Sequence, residues 1–536
     1  MDKRSSKIKR LPTSPHTTRG RVHWQSSNPA SVCANVRVLT KTRVFRLNGN
    51  RLTRWVTLSK HGSMSTPLTH PDRLLPADSG VRRIARSLLE LVQDLPIISP
   101  HGHVDAAVIE QNTPFPDPAA LLVSPDHYVT RLIHASGVDQ NLIRPQSGAQ
   151  GDPAAAPDSR AVWREFCKSW PLFEGTASGY WLRDQFQSVF GLQQEPDAAD
   201  PDASYNAISA RLQEPGFRPR ELFKDFNIEV LATTDDPLDS LASHQAIAKD
   251  PTFHGRVLPT FRPDQYLNIA HPTWAANVDR LIAAAGDGGT GYAGYITALE
   301  NRRRYFVEHG AVSADHGVRT PRTLKLDAGD AARLFDRARS GTATAQDRED
   351  FEAHMMYQMA RMSVEDGLVM TIHPGSFRNH HEPTFNTFGA DSGHDIPFAI
   401  DYTEGIRPLL QDFGTAKDFH LVLFTMDETV FSRELAPLAG FYPSVYLGAP
   451  WWFLDAPDAM LRFRSAVTET AGFSRSSGFI DDTRAFCSIP ARHDASRRIE
   501  ASFLARLVAE HRISEDRAHE LIVDIVDGSP RRVFKL

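Results

Sequence analysis

Only three cysteines, Cys33, Cys167 and Cys487, occur among 536 residues, and none stands in a CxxC pair. That scarcity argues against both a disulfide framework and a thiolate zinc centre. Long apolar runs are missing too. No stretch approaches the roughly 18–20 residues that span a bilayer, so the chain reads as a cytoplasmic protein without a membrane partner. Neither sign of charge dominates: 60 Lys and Arg against 65 Asp and Glu leave a net −5, which offers no global attraction to nucleic acid or an anionic surface. Acidic residues are absent between Asp2 and Asp72, while Lys and Arg recur there. Acid-poor, Arg- and Ser-rich N-termini occur as transit peptides or basic arms. Residues 36–58 also alternate around Asn48-Gly49 as a hairpin would, although an isolated hairpin is marginal in water. Met64 opens the run MSTPLTHPDRLLP, which looks like an ordinary N-terminus. Residues 1–63 are therefore expected to be a basic extension, disordered or outside the native protein, with 64–536 as the folded domain.

What is present is ample core material, 41% hydrophobic, organised in a repeating way. Short apolar runs at 95–98, 228–234, 257–259, 311–313, 368–372, 419–425, 444–447 and 479–480 alternate with helical patterns. Such alternation predicts parallel βα units, and eight of them predict a (β/α)8 TIM-type barrel of the α/β class. Polar or ionisable residues follow almost every run, where barrel enzymes place their chemistry. Residues 105–227, between the first and second strands, exceed a plain crossover. Trp163, Phe166, Trp170, Phe173, Tyr180, Trp181 and Phe186 give that insertion the material for a helical subdomain of its own, with 151–157 and 197–201 as exposed loops.

The first run ends in His101-Gly102-His103. Residues i and i+2 of a strand point the same way, so both imidazoles face one side, suited to two nitrogen ligands on one zinc ion. The last run ends in Asp481-Asp482-Thr483-Arg484. A carboxylate from it completes a two-histidine, one-aspartate set with positions open for water or substrate. Asp482 also fits a helix N-cap, and Asp481 competes for the ligand role.

These segments resemble the uronate isomerases of the amidohydrolase superfamily. His101-Gly102-His103 looks like their first-strand metal motif. Pro125-Asp126-His127-Tyr128-Val129-Thr130-Arg131 resembles DHYxxR, Thr233-Thr234-Asp235-Asp236-Pro237 resembles TTDDP, and Leu258 to Asp264 resembles LPxFRPD. Asp315-His316-Gly317, Trp451-Trp452-Phe453 and Asp482-Thr483-Arg484-Ala485-Phe486 with Arg492-His493 match further family segments, in order, over roughly residues 90–500. The chain departs from the pattern at HPGSFRNHH (His373 to His381), at Cys487-Ser488-Ile489-Pro490, and in the basic N-terminus.

The resemblance implies an aldose–ketose isomerase of hexuronates, D-glucuronate to D-fructuronate and D-galacturonate to D-tagaturonate, with one zinc per chain. It implies His101, His103 and Asp482 as metal ligands and Asp482, Tyr128 or His316 as proton carriers. His127, Arg131, Arg262, Arg484, Trp451 and His373 would meet the substrate, with His373 alternatively a further metal ligand. An arginine fork after a strand suits a carboxylate, whereas Asp235 and Asp236 are expected to brace a strand end. The partner is then a small sugar acid, with a homo-oligomer left open. Two other readings compete: a metal-dependent hydrolase or decarboxylase on the same ligand set, and a nucleic-acid binder using residues 1–63, which no recognition motif accompanies.

Overall fold

Short, almost fully buried strands rich in Val, Ile and Leu lie side by side and parallel, as sheets covered on both faces require. The computed structural model describes residues 67–147 and 157–536, which belong to one unit, Ser65–Leu536. The expectations for residues 1–63, including the hairpin at 36–58, and for most of the 151–157 loop lie outside the described residues.

The first strand, Ile97–Ser99, pairs with Ile228–Ala232, which pairs with Arg256–Leu258. Pro259 then interrupts the third strand, since it has no N–H to give a ladder. The strand resumes as Thr260–Phe261 and pairs there with the fourth, Ser313–His316. The fifth, Val369–Ile372, the sixth, Leu421–Leu423, and the seventh, Val445–Leu447, follow in order, all parallel. The eighth expected strand forms no ladder. Instead Ser476 bridges Leu447, Ser477 N donates to Leu447 O at 2.9 Å, Asp482 N to His101 O at 3.4 Å, and His103 N to Thr483 O at 3.0 Å. The break between these contacts centres on Gly478, whose φ of +79° and close approach to Pro530 exclude a Cβ. The chain is thus the expected (β/α)8 type, with an irregular last segment linking the seventh strand back to the first.

The fourth strand extends past its expected end. Ladder pairs Asp315–Thr371 and His316–Ile372 keep both residues extended, so their side chains leave on opposite faces.

Helices Ala106–Gln111, His127–Ala135, Ser159–Ser169, Ala177–Asp184 and Pro201–Leu212 fill the 105–227 connection. Its aromatics do cluster, with the Trp163 and Phe166 rings 5.1 Å apart. Yet the cluster is continuous with Ile97, Ile228, Leu231 and Val257 of the barrel strands. The insertion therefore shares a core with the barrel wall instead of building a separate one. The 197–200 stretch is exposed, and the Asp200 side chain caps the helix that follows. Helix Ile489–Ala509 is buried along most of its length, and its charged residues are paired: Arg492 with Asp455 at 2.8 Å and Arg464 of a neighbouring helix with Glu500.

Candidate active site

The contacts between the first strand and the irregular last segment decide where the chemistry gathers. With His101 and His103 on one face and Asp482 drawn across by the two backbone bonds, Asp482 Oδ1 lies 3.3 Å from His101 Nε2 and 2.8 Å from His103 Nε2. Asp482 holds a φ of +43°, uncommon for a residue with a side chain and characteristic of strained functional positions. Its buried Oδ1 reaches both imidazole nitrogens at once, the arrangement of ligand atoms converging on one cation. The donor set, two nitrogens and one oxygen whose atoms lie within 4.8 Å of one another, suits a divalent metal ion with open positions. Burial opposes charge on His101, but the Asp315 and Asp482 carboxylates outweigh it and raise its pKa. At His103 burial prevails over the Asp482 carboxylate and lowers the pKa, so that ring favours its neutral form.

Asp481 turns elsewhere. Its Oδ2 faces His493 Nε2 at 3.1 Å, and Arg492 Nη1 donates to its backbone oxygen at 3.3 Å. Gly102 permits this closeness, since a Cβ there would sit 3.3 Å from Asp481 Oδ1.

Beside the ligand set lies a second buried pair. Asp315 Oδ1 meets His373 Nδ1 at 2.6 Å and accepts from Thr371 Oγ1 at 2.7 Å. The His373 ring stacks on His101 at 4.7 Å and on Phe424 at 4.1 Å, with Trp451 edge-on at 4.9 Å. His101, Asp315 and His373 form a second grouping of potential ligand atoms. There, however, Asp315 is also 3.5 Å from Arg262 Nη1, a cation that disfavours another. His316, on the opposite face, sets its Nδ1 against Thr371 O at 2.9 Å, and burial pushes its pKa down to about 4. The sequence reading singled out His316 and passed over Asp315. The period-two alternation of a longer fourth strand was the signal that distinguishes them.

His127 and Tyr128 open helix His127–Ala135, whose N-cap Asp126 accepts from Tyr128 N at 2.8 Å. Their rings stack at 4.6 Å, His127 meets Trp452 at 5.6 Å, and Tyr128 meets Trp181 at 5.9 Å. Burial lowers the His127 pKa to about 3, leaving a neutral ring at ordinary pH. Burial raises the Tyr128 phenol above its usual range, against the pull of Arg492. Tyr128 therefore stays a proton donor.

The arginines are mostly engaged. Arg262 Nε donates to Asp264 Oδ2 at 2.8 Å, so its fork already meets two carboxylates of the protein. Arg484, 48% exposed, pairs with Asp391 Oδ2 at 2.8 Å. Arg378 pairs with Asp391 Oδ1 and Asp395 Oδ2, each at 3.2 Å, and lies over the Trp452 ring at 4.7 Å. Arg131 lies over Phe453 at 4.5 Å. Trp451 is buried against His373, whereas Trp452, at a φ of +54°, meets both His127 and Arg378. Asp235 Oδ2 accepts from Thr233 Oγ1 at 2.6 Å and Thr260 N at 3.1 Å, and Asp236 accepts from Tyr266 at 2.9 Å. That is the bracing expected of this pair. Arg378 belongs to the His373 to His381 segment where the sequence departs from the family pattern, Asp391 lies ten residues beyond it, and no spacing marked either.

Comparison with known proteins adds to this geometry. A family model described as glucuronate isomerase matches residues 81–534. A uronate isomerase of Corynebacterium efficiens is 58% identical over 470 residues, covering 87% of this chain and 98% of the relative. One from Phenylobacterium zucineum is 48% identical over 474 residues, with 88% and 98% covered. The crystal structure of glucuronate isomerase from Caulobacter crescentus superposes with a TM-score of 0.85 at 44% identity, over 88% of this chain and 98% of that one. The structure of uronate isomerase from Thermotoga maritima does so at 0.80 and 29%, over 86% and 98%.

Proposed function

We propose that this chain, which belongs to the glucuronate isomerase family, interconverts the aldose and ketose forms of hexuronates, D-glucuronate with D-fructuronate and D-galacturonate with D-tagaturonate. The observation that carries the reading is the convergence of His101, His103 and Asp482 between the end of the first strand and the irregular last segment. No helix among the described residues is long and apolar enough to cross a membrane, and the described cysteines, Cys167 and Cys487, are free and buried. A cytoplasmic enzyme fits both.

His101, His103 and Asp482 are the ligands we assign to one zinc ion. Bound there, zinc would supply Lewis acidity to polarise the carbonyl of the open-chain sugar. The chain's own groups do the rest. Asp482, with its second oxygen, is positioned to carry the proton between C2 and C1. Tyr128, held protonated, donates a hydrogen bond to an oxygen on which negative charge develops. The Asp315–His373 pair borders the same space, held by Arg262 and Thr371. His127 meets the Trp452 ring beside this set, and the rings of Trp451 and Phe424 pack against His373.

A hydrolase or decarboxylase with the same ligand set remains the alternative chemistry. A panel of hexuronates incubated with the zinc-loaded enzyme separates the two. Ketose formation from at least one of them is expected, and release of a cleaved or decarboxylated product without ketose would refute the isomerase reading.

A further inference from the structure

One cation near the active site has no carboxylate of its own. Arg144, in the insertion, donates from Nη1 only to Thr130 Oγ1 at a long 3.4 Å, and its buried Nε has no partner. Its electrostatic surroundings are Asp391, Arg484 and Asp126. Both oxygens of Asp391 are already taken, Oδ1 by Arg378 and Oδ2 by Arg484, and Asp395 is shared between Arg378 and the Asn379 N–H. Arg378 and Arg484 thus occupy the Asp391 and Asp395 carboxylates, and Arg144 forms an ion pair with neither of its acidic neighbours, Asp391 and Asp126. Two neutral rings adjoin these groups. His127 feels Arg144, Arg484 and Arg378, and His394 feels Arg144 and Asp395, with both its ring nitrogens buried and unpartnered.

The placement is built by the fold. Gln140 Nε2 donates to Ser392 O at 3.1 Å and Ser147 Oγ to Phe388 O at 2.7 Å, which ties the Arg144 segment to the 388–395 stretch. A Cβ on Gly393 would lie 2.7 Å from Arg131 Cβ, so the same stretch also meets helix His127–Ala135 at glycine distance. A half-buried guanidinium whose Nε is buried without a partner gains from an anion that completes it. From this missing partner we infer that Arg144, assisted by His394, binds the carboxylate of the hexuronate, at the end of the sugar away from the metal ligands. The role deepens the isomerase reading and rests on it. A monoanionic substrate brings the carboxylate partner that Arg144 lacks, and the bidentate fork of arginine matches a carboxylate. Arg144 is then a specificity residue, selecting sugar acids over neutral sugars, with no part in moving the proton.

The test is steady-state kinetics of the zinc-loaded full chain on D-glucuronate. Arg144→Met should raise KM by about tenfold or more and leave kcat within about threefold, with zinc per chain and Tm unaltered. Arg144→Lys, which keeps the charge without the fork, should fall between parent and Arg144→Met, and His394→Gln should raise KM by a few-fold. An unchanged KM in Arg144→Met, or a loss confined to kcat, would overturn the assignment. Should Arg144→Met fail to fold, an unchanged KM in both Arg144→Lys and His394→Gln would overturn it equally. A parent enzyme that forms ketose beside unaffected variants refutes this inference alone, whereas a parent that isomerises no hexuronate refutes the proposed function and this inference with it.

Discussion

Asp481 and Asp482 are neighbours in the chain and face different partners: Asp482 Oδ1 lies 2.8 Å from His103 Nε2, while Asp481 Oδ2 lies 3.1 Å from His493 Nε2. The split follows from the positive φ at Asp482, which turns consecutive side chains away from the simple alternation of a strand. Asp482→Asn is therefore expected to lose metal and nearly all activity. Asp481→Asn should keep its metal and instead lower Tm, because it removes one partner from a buried pair, a change costing about 1–3 kcal/mol. Elemental analysis of the two purified variants decides this, and full metal in Asp482→Asn with none in Asp481→Asn would reverse the assignment.

Arg262 meets Asp264 and Asp315, so its first task is to hold Asp315 beside His373. Arg262→Lys keeps the charge and loses the two-sided fork. The expected loss is about 2 kcal/mol, roughly thirtyfold in kcat/KM, and it should appear mainly in kcat. A loss carried by KM and absent with neutral sugars would show that Arg262 binds the substrate carboxylate directly.

Much of this site was legible before any fold was known. The i, i+2 histidines and the closing aspartates stood at the ends of apolar runs, and parallel strands bring such ends to one rim. The competition between Asp481 and Asp482 was not legible, because it depends on a backbone turn at a single residue. Asp315 was hidden because the apolar run stops at Ser313 while the ladder continues to His316, and that extension decides which of two adjacent polar residues faces inward. The irregular last segment was read as a strand because Phe479-Ile480 has the right composition, yet the packing of Pro530 against Gly478 breaks the ladder there. Arg144 carries no motif at all. Its distinction, a missing carboxylate, exists only once every neighbour is placed.

Acid should destabilise the protein through a buried histidine outside the ligand set, His244. Burial pushes His244 down to about 4, and its Nε2 faces Thr233 Oγ1 at 2.8 Å and Asp235 Oδ1 at 3.8 Å, with Asp239, Asp105 and His309 also near. The folded state thus holds the neutral ring, while the unfolded chain takes up a proton near pH 6.5. The contribution is fully present above about pH 6.5 and is lost as pH falls towards 4, by roughly 3 kcal/mol. Tm measured from pH 7 to 4 should fall less steeply in His244→Asn than in the parent. Parallel curves would show that His244 does not titrate in this window.

We propose that residues 64–536 carry the whole activity. The 58%-identical relative is matched over 98% of its length by 87% of this chain, and residues 1–63 are acid-poor. A chain beginning at Met64 should match the full chain in Tm and kcat/KM, and a marked drop in either would give the N-terminal stretch a structural role.

We propose that His101, His103 and Asp482 serve an isomerisation of a sugar acid through one bound metal ion. The most direct measurement of this follows D-glucuronate by NMR and mass spectrometry in ¹⁸O-labelled water, with enzyme as purified, after chelation, and after return of zinc. The expected result is D-fructuronate with no label at non-exchangeable positions, activity lost on chelation, and recovery at about one zinc per chain. Label at a non-exchangeable position, or full turnover by metal-free protein, would contradict it.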